Sequence, residues 1–196
     1  MNEYGIRRHP DYRVRASSEL AAGDVARLSR ERFVLPNGVE AEQDIISLPD
    51  AVAIAPLDTE GRLVLIEQFR PAVGGFIHEI PSGRPEADES LEVAAKRELE
   101  EETGLIANRW TRLASLLMIP GTSAHRLHFF LAEDLGAGSF SPEAAECIRV
   151  RRVPFASLVE RLVRDAPGST PIVDTKTHLA LLHVARLIES RTGGSA

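Results

Sequence analysis

The chain of 196 residues is 43% hydrophobic and 27% charged, enough apolar material for one globular domain with a sizeable core. Its 23 Lys and Arg stand against 29 Asp and Glu, a formal net charge of −6, and with no long basic run this makes the chain a poor candidate for a general nucleic-acid binder. A single cysteine, Cys147, excludes an internal disulfide framework and a cysteine-built zinc site. A reducing cytoplasm is therefore the expected compartment. The N-terminal stretch MNEYGIRRHPDYRVR has no apolar segment of signal-peptide type, and no apolar run approaches the ~20 residues of a membrane span.

Residues 1–20 carry no clear period and are assigned no element. Leu28–Leu35 alternates in part and reads as a strand, Pro36-Asn37-Gly38 as a turn, and Val39–Leu48 as the returning strand of a hairpin. Residues 1–48 are thus expected to form an N-terminal arm of antiparallel strands, and residues 49–192 the main domain. Ala51–Leu57 and Arg62–Phe69 are apolar runs on either side of the turn Asp58–Gly61, the kind of strand covered on both faces. Phe76–Ile80 is a short strand ended by Pro81. A helix follows, with Asp88 as the expected N-cap, Glu89 and Glu92 in its first turn, and Gly104 at its C-terminal end. Strands are expected at Trp110–Ile119, Arg126–Ala132 and Cys147–Val153, with a long loop Glu133–Glu146 between the last two. Helices are expected at Pro154–Arg164, packing through Phe155, Leu158, Leu162 and Val163, and at Thr175–Glu189, packing through Leu179, Leu182, Ala185 and Leu187. The tail Thr192–Ala196 is small and polar and is expected to fray. The order of elements implies a mixed sheet sandwiched by helices, an α/β/α or α+β arrangement.

The first helix carries the most information. On a wheel of 100° per residue, Leu91, Ala94, Ala95 and Leu99 form an apolar stripe, and Glu98 and Glu102 fall inside it. Burying ionised carboxylates is costly without a compensating cation or donors. A divalent metal is the simplest compensation, because hard cations take oxygen ligands. A solvated acidic face is the alternative reading of the cluster Glu98, Glu101 and Glu102.

The stretch Gly83–Leu105, GRPEADESLEVAAKRELEEETGL, matches the pattern GX5EX7REUXEEXGU, with U an apolar residue, at every fixed position. It resembles the Nudix box, and the wider resemblance to Nudix hydrolases extends over residues 30–190. What the resemblance implies is an enzyme that hydrolyses a nucleoside diphosphate linked to another moiety, with Mg2+ or a substitute such as Mn2+. It makes Glu98 and Glu102 the main metal ligands, directs the Ser82 carbonyl at the metal, and gives Arg97 the task of holding the acidic cluster, with Glu101 beside it. Glu89 is implied to tie the loop through a salt bridge.

Outside the box, IEQFRPAVGGFIHEIPSG, Pro120 in IPGTSAHRLHFFLA and VDTKTHLALL resemble the ADP-ribose pyrophosphatase branch. The resemblance implies that Arg70 contacts the diphosphate, that Glu79 is a ligand or supporting acid, and that Pro120 marks specificity for ADP-ribose. Where that branch often carries an acid after the proline loop, this chain reads Ser123-Ala124-His125, leaving His125 as a base, a substrate contact or, as is commoner for a lone histidine, a structural or exposed side chain. Glu146 is the match for a third metal ligand and Glu143 for the base; the two roles are exchangeable, and a merely solvated carboxylate is the alternative for either one. The implied reaction is conversion of ADP-ribose to AMP and ribose 5-phosphate in a homodimer, with no membrane or nucleic-acid partner. Cleavage of another nucleotide sugar such as GDP-mannose, or a Nudix-fold nucleotide sensor without catalysis, are the alternatives.

Overall fold

The computed structural model describes residues 6–7, 9–164 and 172–192, so most of the tail expected to fray lies outside the described residues. The chain divides into two compact units, one made of Met1–Asp50 with Ser115–Leu127, the other of Ala51–Ala114 with His128–Ala196.

The first unit is built on a three-stranded antiparallel sheet in the order β1-β2-β3, with β1 at Arg13–Ala22, β2 at Arg27–Val34 and β3 at Glu40–Ser47. The expected hairpin is β2–β3. Its turn closes through the Leu35 N–H on the Val39 carbonyl at 2.9 Å, and the Asn37 side chain accepts the Val39 N–H at 3.1 Å. Strand β1 is an addition to the expectation. Every residue of it is exposed, so no inside–outside alternation betrays it, and pairing with β2 alone defines it. Opposite charges face one another across β2–β3: Arg30 lies in register with Asp44 and bonds it at 2.8 Å. Segment 115–127 attaches to this sheet by the Ile46 N–H on the Thr122 carbonyl at 2.8 Å and by the Gln43 amide on the Gly121 carbonyl.

The second unit holds the core. Strands β4 (Ala51–Pro56), β7 (Ser82–Gly83), β8 (Leu105–Leu117) and β9 (Arg126–Ala137) make a four-stranded sheet in the order β7-β4-β9-β8. Strands β5 (Arg62–Arg70), β6 (Gly75–Glu79) and β10 (Ile148–Pro154) make a second sheet in the order β10-β5-β6, antiparallel throughout. Among the described residues three helices complete it: α1 at Leu91–Thr103, α2 at Phe155–Arg164 and α3 at Thr175–Thr192. The result is a mixed α+β fold. Leu63, Val64, Leu65 and Ile66 of β5 are all buried, as their unbroken apolar run requires. Val52, Ile54 and Val64 pack with Ala94, Ala95 and Leu99 of α1 and with Phe130 and Ala132 of β9. Small alanines let α1 approach the strands closely, which brings its acidic end to the strand β7 and its flanking bend.

Several boundaries and faces differ from expectation. Asp88 is not the N-cap: it adopts φ 65°, and Ser90, two residues on, caps α1 by accepting the Val93 N–H at 3.3 Å. Strand β8 begins at Leu105, directly after the helix, rather than at Trp110, and β9 continues to Ala137, shortening the loop expected from Glu133. Val163 is exposed on α2, and on α3 Leu182 is exposed while Lys176, Thr177, Ala180, Leu181 and Val184 are buried. The apolar wheel of α3 is broad, and only packing selects which edge of it faces inward.

Candidate active site

The site grows from the junction of β7 with α1. Gly104, at φ 67°, stops the helix by giving its N–H to the Glu100 carbonyl at 2.8 Å, so the last turn that carries Glu98, Glu101 and Glu102 ends sharply. Gly83 is needed for a different reason. A Cβ there would overlap the carboxyl group of Glu98, so only glycine lets the bend lie against that side chain.

Glu102 is 1% exposed. Its Oε2 accepts the Ser82 N–H at 2.8 Å, and its Oε1 is buried with no hydrogen-bond partner. Burial raises its pKa well above the ordinary carboxylate value. The charges of Glu98 and Glu146 add to that rise, and the Ser82 N–H and the Arg70 guanidinium oppose it. Glu98 is also buried and is pushed up to about 7, first by burial and further by Glu101 and Glu146, against the pull of Arg97. Glu146 therefore acts on both helix carboxylates, although it comes from the distant segment before β10. The wheel prediction that two acids continue the apolar stripe is borne out by their burial, and a solvated face does not describe them.

Arg97 ties the surroundings together. Its guanidinium bonds both Glu89 oxygens at 3.1 and 3.0 Å, Glu98 Oε1 at 3.0 Å, Glu101 Oε2 at 2.9 Å and the Arg84 carbonyl at 2.9 Å. These contacts hold Arg97 firmly charged, and hydrogen bonds from Arg97 keep Glu89 ionised below its usual range. Arg97 is thus a strut joining the loop before α1 to its acidic end.

Arg70, at the end of β5, gives its Nε–H to Glu79 Oε1 at 2.6 Å. Glu79 is 1% exposed, and its other oxygen pairs with Lys176. Lys176 also meets Asp174 at 3.2 Å, and Asp174 accepts the Thr177 hydroxyl at 2.7 Å. Thr177 in turn accepts the Ile80 N–H at 2.9 Å. Lys176 and Thr177 were not among the expected site residues. The lysine and threonine in VDTKTHLALL were visible, but pairing between residues this far apart in the chain has no local signal. Glu143 is exposed, gives its backbone N–H to Glu146 Oε2 at 3.1 Å, and its own carboxylate makes no bond among the described residues.

The second unit thus gathers Arg70, Glu79, Ser82, Arg97, Glu98, Glu101, Glu102 and Glu146, with Glu143 joined to Glu146. Pro120 and His125 belong to the first unit. There Pro120 is exposed, and the His125 ring donates from Nδ1 to the Pro49 carbonyl at 2.7 Å. Among the described residues, no three His, Cys, Asp or Glu side chains converge closely enough to hold a metal ion as they stand. Glu98 Oε1 accepts a hydrogen bond from Arg97, and Glu146 Oε2 accepts the Glu143 N–H. The donor set nevertheless suits a hard divalent cation, since the orphaned Glu102 Oε1 needs a positive partner and Glu98 lies beside it in the same electrostatic cluster.

A family model described as the NUDIX domain matches residues 47–175, and the chain belongs to the Nudix hydrolase family. It is 33% identical over 172 residues to an ADP-ribose pyrophosphatase of Bacillus subtilis (strain 168), covering 86% of this chain and 90% of that protein. It is 32% identical over 158 residues to an ADP-ribose pyrophosphatase of Mycobacterium tuberculosis (strain ATCC 25618 / H37Rv), covering 79% and 76%. The fold matches a crystal structure of an ADP compounds hydrolase with a TM-score of 0.81 at 23% identity, over 95% of this chain and 98% of that one. No helix among the described residues is long and apolar enough to cross a membrane.

Proposed function

We propose that this chain hydrolyses the diphosphate linkage of a nucleoside diphosphate sugar, with ADP-ribose as the leading substrate and AMP and ribose 5-phosphate as products. The observation that carries the reading is Glu102: a buried carboxylate with one oxygen tied to Ser82 and the other unpartnered, in the field of Glu98 and Glu146. Glu98, Glu102 and Glu146, with the Ser82 carbonyl, would hold Mg2+, or Mn2+ in its place. Such an ion, when bound, neutralises charge on the phosphoryl oxygens and lowers the pKa of water.

The remaining work falls to the chain's own groups. Arg70 keeps its orientation through Glu79 and offers its other N–H groups to the diphosphate, for which a planar guanidinium is suited. Glu143, with a carboxylate free of other bonds, takes the proton of the attacking water. A bond from the water oxygen to phosphorus forms, and the bridging P–O bond breaks. Arg97 contributes by positioning Glu98 and Glu101. Glu146 exchanges with Glu143 as base if variants show the opposite order of loss.

The test is a panel of ADP-ribose, NADH, diadenosine polyphosphates, GDP-mannose and UDP-glucose with Mg2+, followed by phosphatase-coupled phosphate release. Turnover of ADP-ribose above the others supports the reading. Cleavage of another sugar nucleotide with none of ADP-ribose overturns the substrate and keeps the reaction class. Residues 1–48 are taken as an arm that joins two copies in the cytoplasm, with residues 49–192 as the catalytic domain. Light scattering that returns a clean 21.4 kDa species would exclude the dimer.

A further inference from the structure

The sheet β10-β5-β6 has a second face. Adjacent residues of a strand project to opposite sides, so His78 points away from the side on which Glu79 holds Arg70. On that reverse side a cavity of about 370 Å3 opens between the sheet and α2. This lies within the ~300–1,000 Å3 range of small-ligand pockets. Leu65, Leu158 and Ile172 form its apolar wall, while Arg151, Arg161 and His78 stand among its polar lining.

The charge balance there is opposite to that of the whole chain. Arg151 bonds Glu67 at 3.1 Å, but Glu67 is also within 3.7 Å of both Arg149 and His78. One carboxylate thus serves two guanidiniums and an imidazole. Arg161 makes no ion pair or hydrogen bond among the described residues. An arginine with five open donors beside a second arginine, against an apolar wall, matches a phosphate group attached to a small apolar body.

We propose that this cavity is a second binding site, separate from the hydrolytic one, for a small phosphomonoester whose phosphate meets Arg161 and Arg151 and whose body lies against Leu65 and Leu158. The inference does not depend on the substrate of the hydrolase. It is tested by calorimetric titration of phenyl phosphate into the full chain in EDTA, with phenol and inorganic phosphate as comparisons. Arg161→Ala, and separately Ser157→Asp, which places a negative charge on the lining without removing packing, should each weaken binding by about tenfold or more. Arg70→Ala should leave the affinity unchanged, phenol should not bind, and inorganic phosphate should bind more weakly than phenyl phosphate. Circular dichroism of each variant checks the fold, and Ser157→Asp serves if Arg161→Ala misfolds. The proposal is overturned if wild type shows no binding at millimolar phenyl phosphate. It is equally overturned if Arg161→Ala and Ser157→Asp, both folded, leave the affinity unchanged, whatever Arg70→Ala does.

Discussion

The Ser82 N–H is bonded to Glu102 Oε2 at 2.8 Å, and this single bond fastens the bend before the helix to the acidic end of the helix itself. It also leaves Glu102 Oε1 as the buried oxygen without a donor. Glu102→Gln keeps an acceptor for Ser82 and removes the charge. Activity should fall by about two orders of magnitude or more, while the melting temperature in EDTA stays equal or rises, because a buried carboxyl has been removed. Steady-state kinetics and a thermal melt check both halves. Wild-type turnover in this variant would remove the metal-centred mechanism.

Glu98 sets a pH dependence of stability in metal-free protein. Its folded pKa, about 7, stands above the unfolded value of 4.5. A raised carboxyl contributes stability that is complete below pH 4.5 and is lost as pH rises through 7. The full effect is on the order of 3 kcal/mol, from about 1.4 kcal/mol per pH unit. Urea unfolding in EDTA between pH 5 and 8 should show this decline, Glu98→Gln should make it shallower while the raised Glu102 carboxyl keeps the remainder, and Mg2+ should restore more stability at pH 8 than at pH 6. Equal slopes for wild type and Glu98→Gln would contradict the assignment.

At Gly83 the carboxyl of Glu98 occupies the space a side chain would need, and Arg97 holds that carboxyl at 3.0 Å. Gly83→Ala must therefore displace Glu98, costing about 1–3 kcal/mol and most of the activity. Gly121→Ala is the control, since a Cβ there meets nothing within 4 Å, and it should stay within about 0.5 kcal/mol of wild type. Parallel denaturation curves and initial rates distinguish the two.

Away from the site, Glu133 receives Arg109 at 3.0 Å and Arg191 at 2.9 Å, anchoring the end of α3 to β8 and β9. Burial pushes the Glu133 carboxyl up, but the two guanidiniums outweigh it and hold the pKa below 4.5. A depressed carboxyl contributes stability that is present above pH 4.5 and is lost as pH falls through its folded value. Glu133→Gln should cost about 1–2 kcal/mol at pH 7, because both arginines are substantially exposed and screened. The difference from wild type should shrink steadily below pH 4.5 in acid titration followed by circular dichroism.

The unbroken apolar run of β5, the Pro36-Asn37-Gly38 turn and the apolar stripe of α1 are local patterns, and each formed the element its pattern implies. Strand β1 left no trace because none of its residues is buried, and a strand defined by pairing alone has no period to read. Asp88 and Ser90 are both good acceptors, but Asp88 stands at φ 65° while Ser90 is extended and accepts the Val93 N–H, so Ser90 is the N-cap. On α3 the choice of Leu181 and Val184 over Leu182 as the inward edge was made by the strands it covers.

By itself the sequence determined the spacing along one helix: it placed Glu98 and Glu102 on the apolar side and Gly104 at its C-terminal end, because helical geometry is a local property of the chain. Only the tertiary structure decided what surrounds them. It brought Glu146 into the field of both acids, set Lys176 against Glu79 behind Arg70, and left one oxygen of Glu102 without a donor. Those relations join residues far apart in the chain, and they follow from packing and desolvation, which no short-range pattern encodes.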